Sequence, residues 1–267
     1  LFEIGEDADP SARHWVMWGA SGTYMIGDFD GKTFTPSGGK RCNYNGSAYA
    51  CQTFANMPEE DGRVIKIAWG RIGFGDSPFN GVMLLPQEQK LVMTPDGLRL
   101  ASYPVAETEN LFEKAASATD LTQAEANELL KAFAEDDLLR IKLSVRLSHA
   151  TDFRLTFRGQ NLVDYDLNGN RINGQFYPGK SIGSTEIEAD VYVDRSMVEA
   201  YIDGGLFSYS YALDDLRPTR SDALAPENTS GPGNDPFAGR RAEGYILHGN
   251  RLHISSIETA RARSIWR

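Results

Sequence analysis

Val191-Tyr-Val-Asp-Arg-Ser-Met-Val-Glu-Ala-Tyr-Ile-Asp-Gly204 reads as a single β-hairpin. Val191 and Val193 precede Arg195-Ser196, and Val198, Ala200 and Ile202 follow it. These apolar residues recur at every second position, the spacing that sends alternate side chains to one face of a strand. Arg195-Ser196 is then a tight turn, and Asp203-Gly204 ends the second strand. One buried face on such a hairpin specifies a β-sandwich of jelly-roll type and says nothing yet about chemistry.

The β pattern extends in both directions from this hairpin. Downstream of residue 137, segments 138–147, 152–158, 162–166, 187–194, 197–203, 207–211, 244–247 and 252–257 read as strands, so 138–267 is expected to be a β-sandwich. The stretch 217–241, rich in Pro, Gly, Asn and Ser, is expected to be a long loop. Upstream, strands are expected at 14–18, 24–28, 48–54, 64–69, 82–85, 90–94 and 98–103. Hairpin turns at Asp30-Gly31, Asp61-Gly62 and Pro95-Asp96-Gly97 separate several of them. Short antiparallel strands that each bury one face suit propeller blades, which assigns 1–107 to a partial β-propeller. Between the two regions, 108–137 trades Val and Tyr for Ala, Glu and Lys. Thr122-Gln-Ala-Glu125 is a capping box, followed by the apolar set Leu129, Leu130 and Phe133, so 108–137 is expected to be a helical or irregular linker.

Composition narrows the function. A net charge of −10 over 267 residues disfavours nucleic acid, which needs a basic footprint, and disfavours an anionic membrane surface. It is compatible with a neutral ligand such as a sugar. No apolar run approaches the roughly eighteen residues of a membrane span. Cys42 and Cys51 fit no zinc spacing; they can close a small hairpin disulfide in an oxidising compartment or stand as two thiols. The histidines His14, His149, His248 and His253 are scattered, which argues against a metal centre or a His-based triad. Gly73-x-Gly75 lacks the third glycine of a dinucleotide loop, so no cofactor is expected.

Several motifs in order carry a resemblance. They are Tyr49-Ala-Cys-Gln-Thr-Phe54, Ala68-Trp69, Met83-Leu-Leu-Pro-Gln-Glu88, Val193-Asp-Arg-Ser-Met-Val-Glu-Ala-Tyr201 and Ser264-Ile-Trp266. In this sequence order they resemble glycoside hydrolase family 32, the levanases, inulinases and invertases. Departures are Gln87 where the family often has Arg, and Cys51 where Ala or Pro is usual. The resemblance implies an all-β chain, the last two blades of a five-bladed propeller followed by a β-sandwich. It implies a fructan or sucrose-like carbohydrate as substrate, bound in part by Tyr49, through its hydroxyl, and Trp69, as an apolar wall for the furanose. The bland alternative is that both aromatics are blade core.

Such enzymes retain configuration, with an Asp nucleophile and a Glu acid/base. The family's Asn-Asp-Pro-Asn/Gly and Arg-Asp-Pro segments are not found here; Gly233-Asn-Asp-Pro236 falls in the long loop and is discounted. Leu1-Phe-Glu3 aligns with the end of the acid/base segment, which makes Glu3 the following glutamate and puts the catalytic one before Leu1. A shifted register would make Glu3 the acid/base. The expectation is therefore a chain with no catalytic residue of its own. Its expected partner is an N-terminal half of the same enzyme or a second copy, and its expected setting is secreted or periplasmic. Asp194, Arg195 and Glu199 are expected to be structural. The alternative reading is a non-catalytic carbohydrate-binding or assembly module.

Overall fold

The computed structural model describes residues 1–58, 60–73, 80–146, 152–166, 170–177, 186–195, 197–213, 244–249 and 251–263. The expected loop 217–241, with Gly233-Asn-Asp-Pro236 inside it, and the motif Ser264-Ile-Trp266 lie outside the described residues. The chain is all-β. Strands β1 (Phe2–Gly5), β2 (Arg13–Trp18), β3 (Thr23–Phe29), β4 (Phe34–Pro36) and β5 (Arg41–Cys42) form a first sheet, ordered β1-β2-β3-β4 with β5 also on β3. After β6 (Tyr44–Gly46) come β7 (Ala48–Thr53), β8 (Val64–Gly70), β9 (Val82–Met83), β10 (Gln87–Thr94) and β11 (Gly97–Pro104). These form a second sheet ordered β11-β10-β8-β7, with β9 on β8. Both are up-and-down antiparallel blades, and Ile4, Val16, Tyr24, Leu91 and Leu100 form the apolar core between them.

The rest of the chain folds as a sandwich. Its strands are β12 (Phe112–Thr122), β13 (Leu138–Arg146), β14 (Asp152–Phe157), β15 (Gln160–Asp166), β16 (Arg171–Ile172), β17 (Gln175–Phe176), β18 (Glu186–Asp194), β19 (Met197–Ile202), β20 (Phe207–Ala212), β21 (Tyr245–Gly249) and β22 (His253–Ala262). A seven-stranded sheet, β12-β22-β13-β18-β19-β20-β6, faces a five-stranded one, β17-β16-β15-β14-β21. Leu139, Ile141, Val191, Val198, Phe153 and Leu155 are among the buried side chains that fill the space between them.

Residues 108–137 differ from the expected linker. Helix α1 (Gln123–Lys131) is present, opened by the capping box of Thr122 and Glu125 and buried through Ala126 and Leu130. Phe112–Thr122, however, is an edge strand of the larger sheet, paired with β22 from Phe112↔Ala262 to Thr122↔His253. Its local propensity is weak for a strand, and cross-strand pairing overrides it.

The opening hairpin is present, with Asp194 opposite Met197 and Arg195 at a positive φ of 53°. The expected face, Val191, Val193, Val198, Ala200 and Ile202, is buried. The opposite face is buried as well, because Tyr192, Met197 and Tyr201 pack with Tyr44, Ala68 and Leu84 of the blade region. Glu199 lies on this second face. Its carboxylate accepts the Leu85 backbone N–H at 3.1 Å and the Tyr201 hydroxyl at 2.7 Å. One motif residue of the sandwich thus ties down the chain just after β9. The blades and the sandwich are also joined by backbone, since β6 adds in parallel to β20.

Two buried ionisable groups give this architecture a pH signature. Burial pushes the Glu199 carboxyl up to about 7, against the pull of its Tyr201 and Leu85 hydrogen bonds. Burial pushes the Lys66 amine down to about 7; it sits 3.1 Å from Ser102 Oγ and 4.1 Å from the centre of the Trp18 ring. The folded Glu199 holds a proton that the unfolded chain releases, so its contribution is full below about 4.5 and is lost as pH rises through 7. The unfolded Lys66 holds a proton that the folded chain excludes, so its contribution is full above 10.5 and is lost as pH falls through about 7. Together they place a stability minimum near neutrality. Urea midpoints at about pH 5, 7 and 9 are expected to dip at the middle value, with Lys66→Met flattening the alkaline rise. A rise that persists undiminished in that variant contradicts the assignment to Lys66.

Candidate functional site

The two sugar-contact candidates are brought side by side. Tyr49 on β7 stands directly opposite Trp69 on β8, and Trp69 is in turn opposite Met83 on β9. Antiparallel partners project to the same face, so the three side chains form one row across the sheet. The period of the strands explains which face they take. Ala48, Ala68 and Gly70 turn inward and are buried, while Tyr49 is 39% exposed, Trp69 43% and Met83 62%. Neither aromatic is blade core, and the row is an open apolar wall.

Local backbone sets the wall. A bulge interrupts the β7–β8 ladder between Tyr49 and Gln52, with Ala50 at a φ of 50°. The extra residue lets Tyr49 face Trp69 while Gln52 resumes the ladder opposite Ile67. Gly81, at a φ of 80°, lies against the indole: a Cβ there would stand 2.2 Å from Trp69 Nε1. Only glycine fits both the backbone and this close approach. Leu84 donates its N–H to Ala68 O at 3.0 Å, and Glu199 holds Leu85, so the sandwich fixes the segment that carries Met83.

Three residues of this site escaped the sequence reading. The Arg71 guanidinium lies 4.5 Å from the centre of the Tyr49 ring, a cation–π contact that stiffens the tyrosine. Gly81 is the second, and Met83, read only as the first residue of a motif and not as a site residue, is the third. Arg71 follows Trp69 by two positions and so continues its face, a signal available in the sequence; the packing of Gly81 on the indole had none.

The remaining candidates occupy structural places. Glu3 pairs with Arg13 at 2.9 Å on the first sheet. The Arg195 N–H donates to Asp137 O at 2.6 Å, and burial raises the Asp194 carboxyl. Cys42 and Cys51 are free thiols. Among the described residues no three His, Cys, Asp or Glu side chains gather where a metal ion could sit. No described helix is long and apolar enough to cross a membrane. Chemically, the wall offers apolar surface, a phenol and a guanidinium to one side of a polyhydroxylated ligand. Among the described residues it holds no pair of facing carboxylates.

No protein-family profile matches the chain. It is 26% identical over 247 residues to a levanase of Bacillus subtilis, covering 77% of this chain and 36% of the levanase. It is 45% identical over 81 residues to an extracellular exo-inulinase of Meyerozyma guilliermondii, covering 26% of this chain and 15% of that protein. Among solved structures, exo-inulinase from Aspergillus awamori superposes with a TM-score of 0.67 at 16% identity, covering 99% of this chain and 56% of that one. Fructan 1-exohydrolase IIa from Cichorium intybus gives 0.65 at 13% identity, covering 98% and 60%. The chain thus spans about a third of the levanase's length and has the fold of just over half of the exo-inulinase.

Proposed function

We propose that this chain, a relative of glycoside hydrolase family 32 over the C-terminal part of those enzymes, supplies one wall of the substrate site of a retaining β-fructoside hydrolase. The observation that carries the proposal is the register of Tyr49 against Trp69, which presents both rings on one exposed face. In this reading Trp69 packs against the apolar side of a furanose, Tyr49 offers its hydroxyl, and Arg71 holds the Tyr49 ring in place. The nucleophile, the acid/base and the third, substrate-holding acid come from the preceding part of the enzyme, because the motifs that carry them in the family do not match here.

The test is fructose release from levan, inulin and sucrose by the purified chain, alone and mixed with the N-terminal part of a related levanase. The chain alone is expected to release none, and the mixture to turn over. Turnover by the chain alone would overturn the assignment of the carboxylates to another segment. Sugar binding without turnover in the mixture would identify a non-catalytic carbohydrate-binding module in its place. The expected setting is extracellular, as for the exo-inulinase relative, with a fructan or sucrose-like ligand and association with an N-terminal half or a second copy.

A further inference from the structure

A cleft of about 450 Å³ opens elsewhere on the molecule and shares no residue with the Tyr49–Trp69 wall. It runs between the first sheet and the β10–β11 turn. Its volume lies in the range of small-molecule sites. Ile26 and Leu98, half-buried against the inter-blade core, give it an apolar floor. Asp28, His14 and Arg41 give it polar walls, and Gly38 and Gly39 leave backbone bare along one side.

The polar groups hold unused capacity. The Asp28 side chain, on a residue paired through its backbone with β4, has no hydrogen-bond or ion-pair partner among the described residues. His14 uses Nε2 on Glu6 Oε1 at 2.8 Å, which leaves Nδ1 for another partner. Arg41 reaches across to the β10–β11 turn, donating Nη1–H to Asp96 Oδ2 at 3.2 Å and Nη2–H to Asp96 O at 2.9 Å. That bridge braces the cleft across two sheets and leaves Nε–H free.

The chemistry selects a ligand class. Asp28 and Asp96 oppose the single guanidinium of Arg41, and His14 is engaged by Glu6, so the cleft has no surplus of positive charge and an anion gains little. Among the described residues, His14, Asp28 and Asp96 do not gather into a group that could hold a metal ion, so this is not a cation site. No Phe, Tyr or Trp lines the cleft, so stacking on a large aromatic face is not its mode of binding. What it offers is a small apolar floor ringed by acceptors and donors, which matches a non-planar ring bearing hydroxyls.

We propose that this cleft is a second carbohydrate-binding site, taking one or two units of a neutral oligosaccharide independently of the Tyr49–Trp69 wall. On a polymeric substrate, such a site holds the chain to the protein while another unit occupies the wall.

The experiment is an amide-resolved NMR titration of the whole chain with 1-kestose. Saturable shifts are expected at Gly38, Gly39 and Gly97. Asp28→Ala removes an exposed, unpartnered side chain and leaves the fold intact; losing charge-assisted hydrogen bonds should weaken the glycine response about tenfold or more. Gly38→Leu provides a second arm, because Gly38 has ordinary φ and a Cβ there meets nothing within 4 Å. Its larger side chain should block the cleft without strain. Trp69→Ala should leave the glycine response unchanged, which separates this site from the wall. Absence of saturable shifts at the three glycines overturns the proposal, as does a response that survives both Asp28→Ala and Gly38→Leu at full strength.

Discussion

Asp190→Ala is expected to lower stability by about 3–5 kcal/mol, measured as a shift of the urea midpoint at constant slope. Arg140, 2% exposed in its side chain, donates Nε–H to Asp190 Oδ1 at 2.8 Å and Nη2–H to Oδ2 at 2.6 Å. The Tyr103 hydroxyl donates to the same carboxylate, and the Tyr192 hydroxyl reaches it at 3.2 Å. Removing the carboxylate leaves a buried guanidinium that, among the described residues, only Glu109, at the half-exposed rim, opposes. The cost therefore comes from the stranded charge more than from the lost attraction. Two comparisons separate these effects. Arg140→Met with Asp190→Ala should recover much of the loss, because the charge goes with its partner. Lys131→Ala, which breaks an exposed pair with Glu128, should change stability by about 0.5 kcal/mol or less.

Gly46→Ala is expected to cost about 2–4 kcal/mol and to loosen the first blade region from the sandwich. Gly46 sits at a φ of 81°, and a Cβ would stand 2.1 Å from the Ser210 carbonyl oxygen, which is backbone and has little room to yield. The same carbonyl accepts the Ser47 N–H at 2.7 Å, and Ser208 N donates to Asn43 O at 2.8 Å, so the substitution pries open the β6–β20 pairing. Gly31→Ala is the matched control: its φ is 91°, yet a Cβ there meets nothing within 4 Å. That change should cost only the backbone strain, about 1 kcal/mol. Hydrogen exchange at Tyr44 to Gly46 should quicken in the first variant and stay slow in the second.

Much of this architecture is legible in the residues, and the failures have physical causes. Strands such as 64–69 and 187–194 announce themselves because a period of two coincides with β-branched residues and flanking turn signals. Phe112–Thr122 does not. It is an edge strand whose inward positions include Ala116 and Ala118, and a register shift between Lys114 and Ala116 breaks the alternation. Only β22, more than a hundred residues away, makes it a strand. The second buried face of the Val191–Gly204 hairpin was equally hidden, because Tyr192, Glu199 and Tyr201 read as outward-facing until the blade region packs on them. Tyr49 and Trp69 were legible as motif residues, but their opposite register depends on the bulge at Ala50, which no local pattern announces.

The Tyr49–Trp69 wall is tested most directly by following the Trp69 indole N–H resonance while 1-kestose is added to the chain. The account predicts a saturable shift of that resonance, weakened about tenfold in Tyr49→Ala and unaffected by Asp28→Ala in the distant cleft. An indole resonance that stays fixed while the sugar binds elsewhere would contradict it.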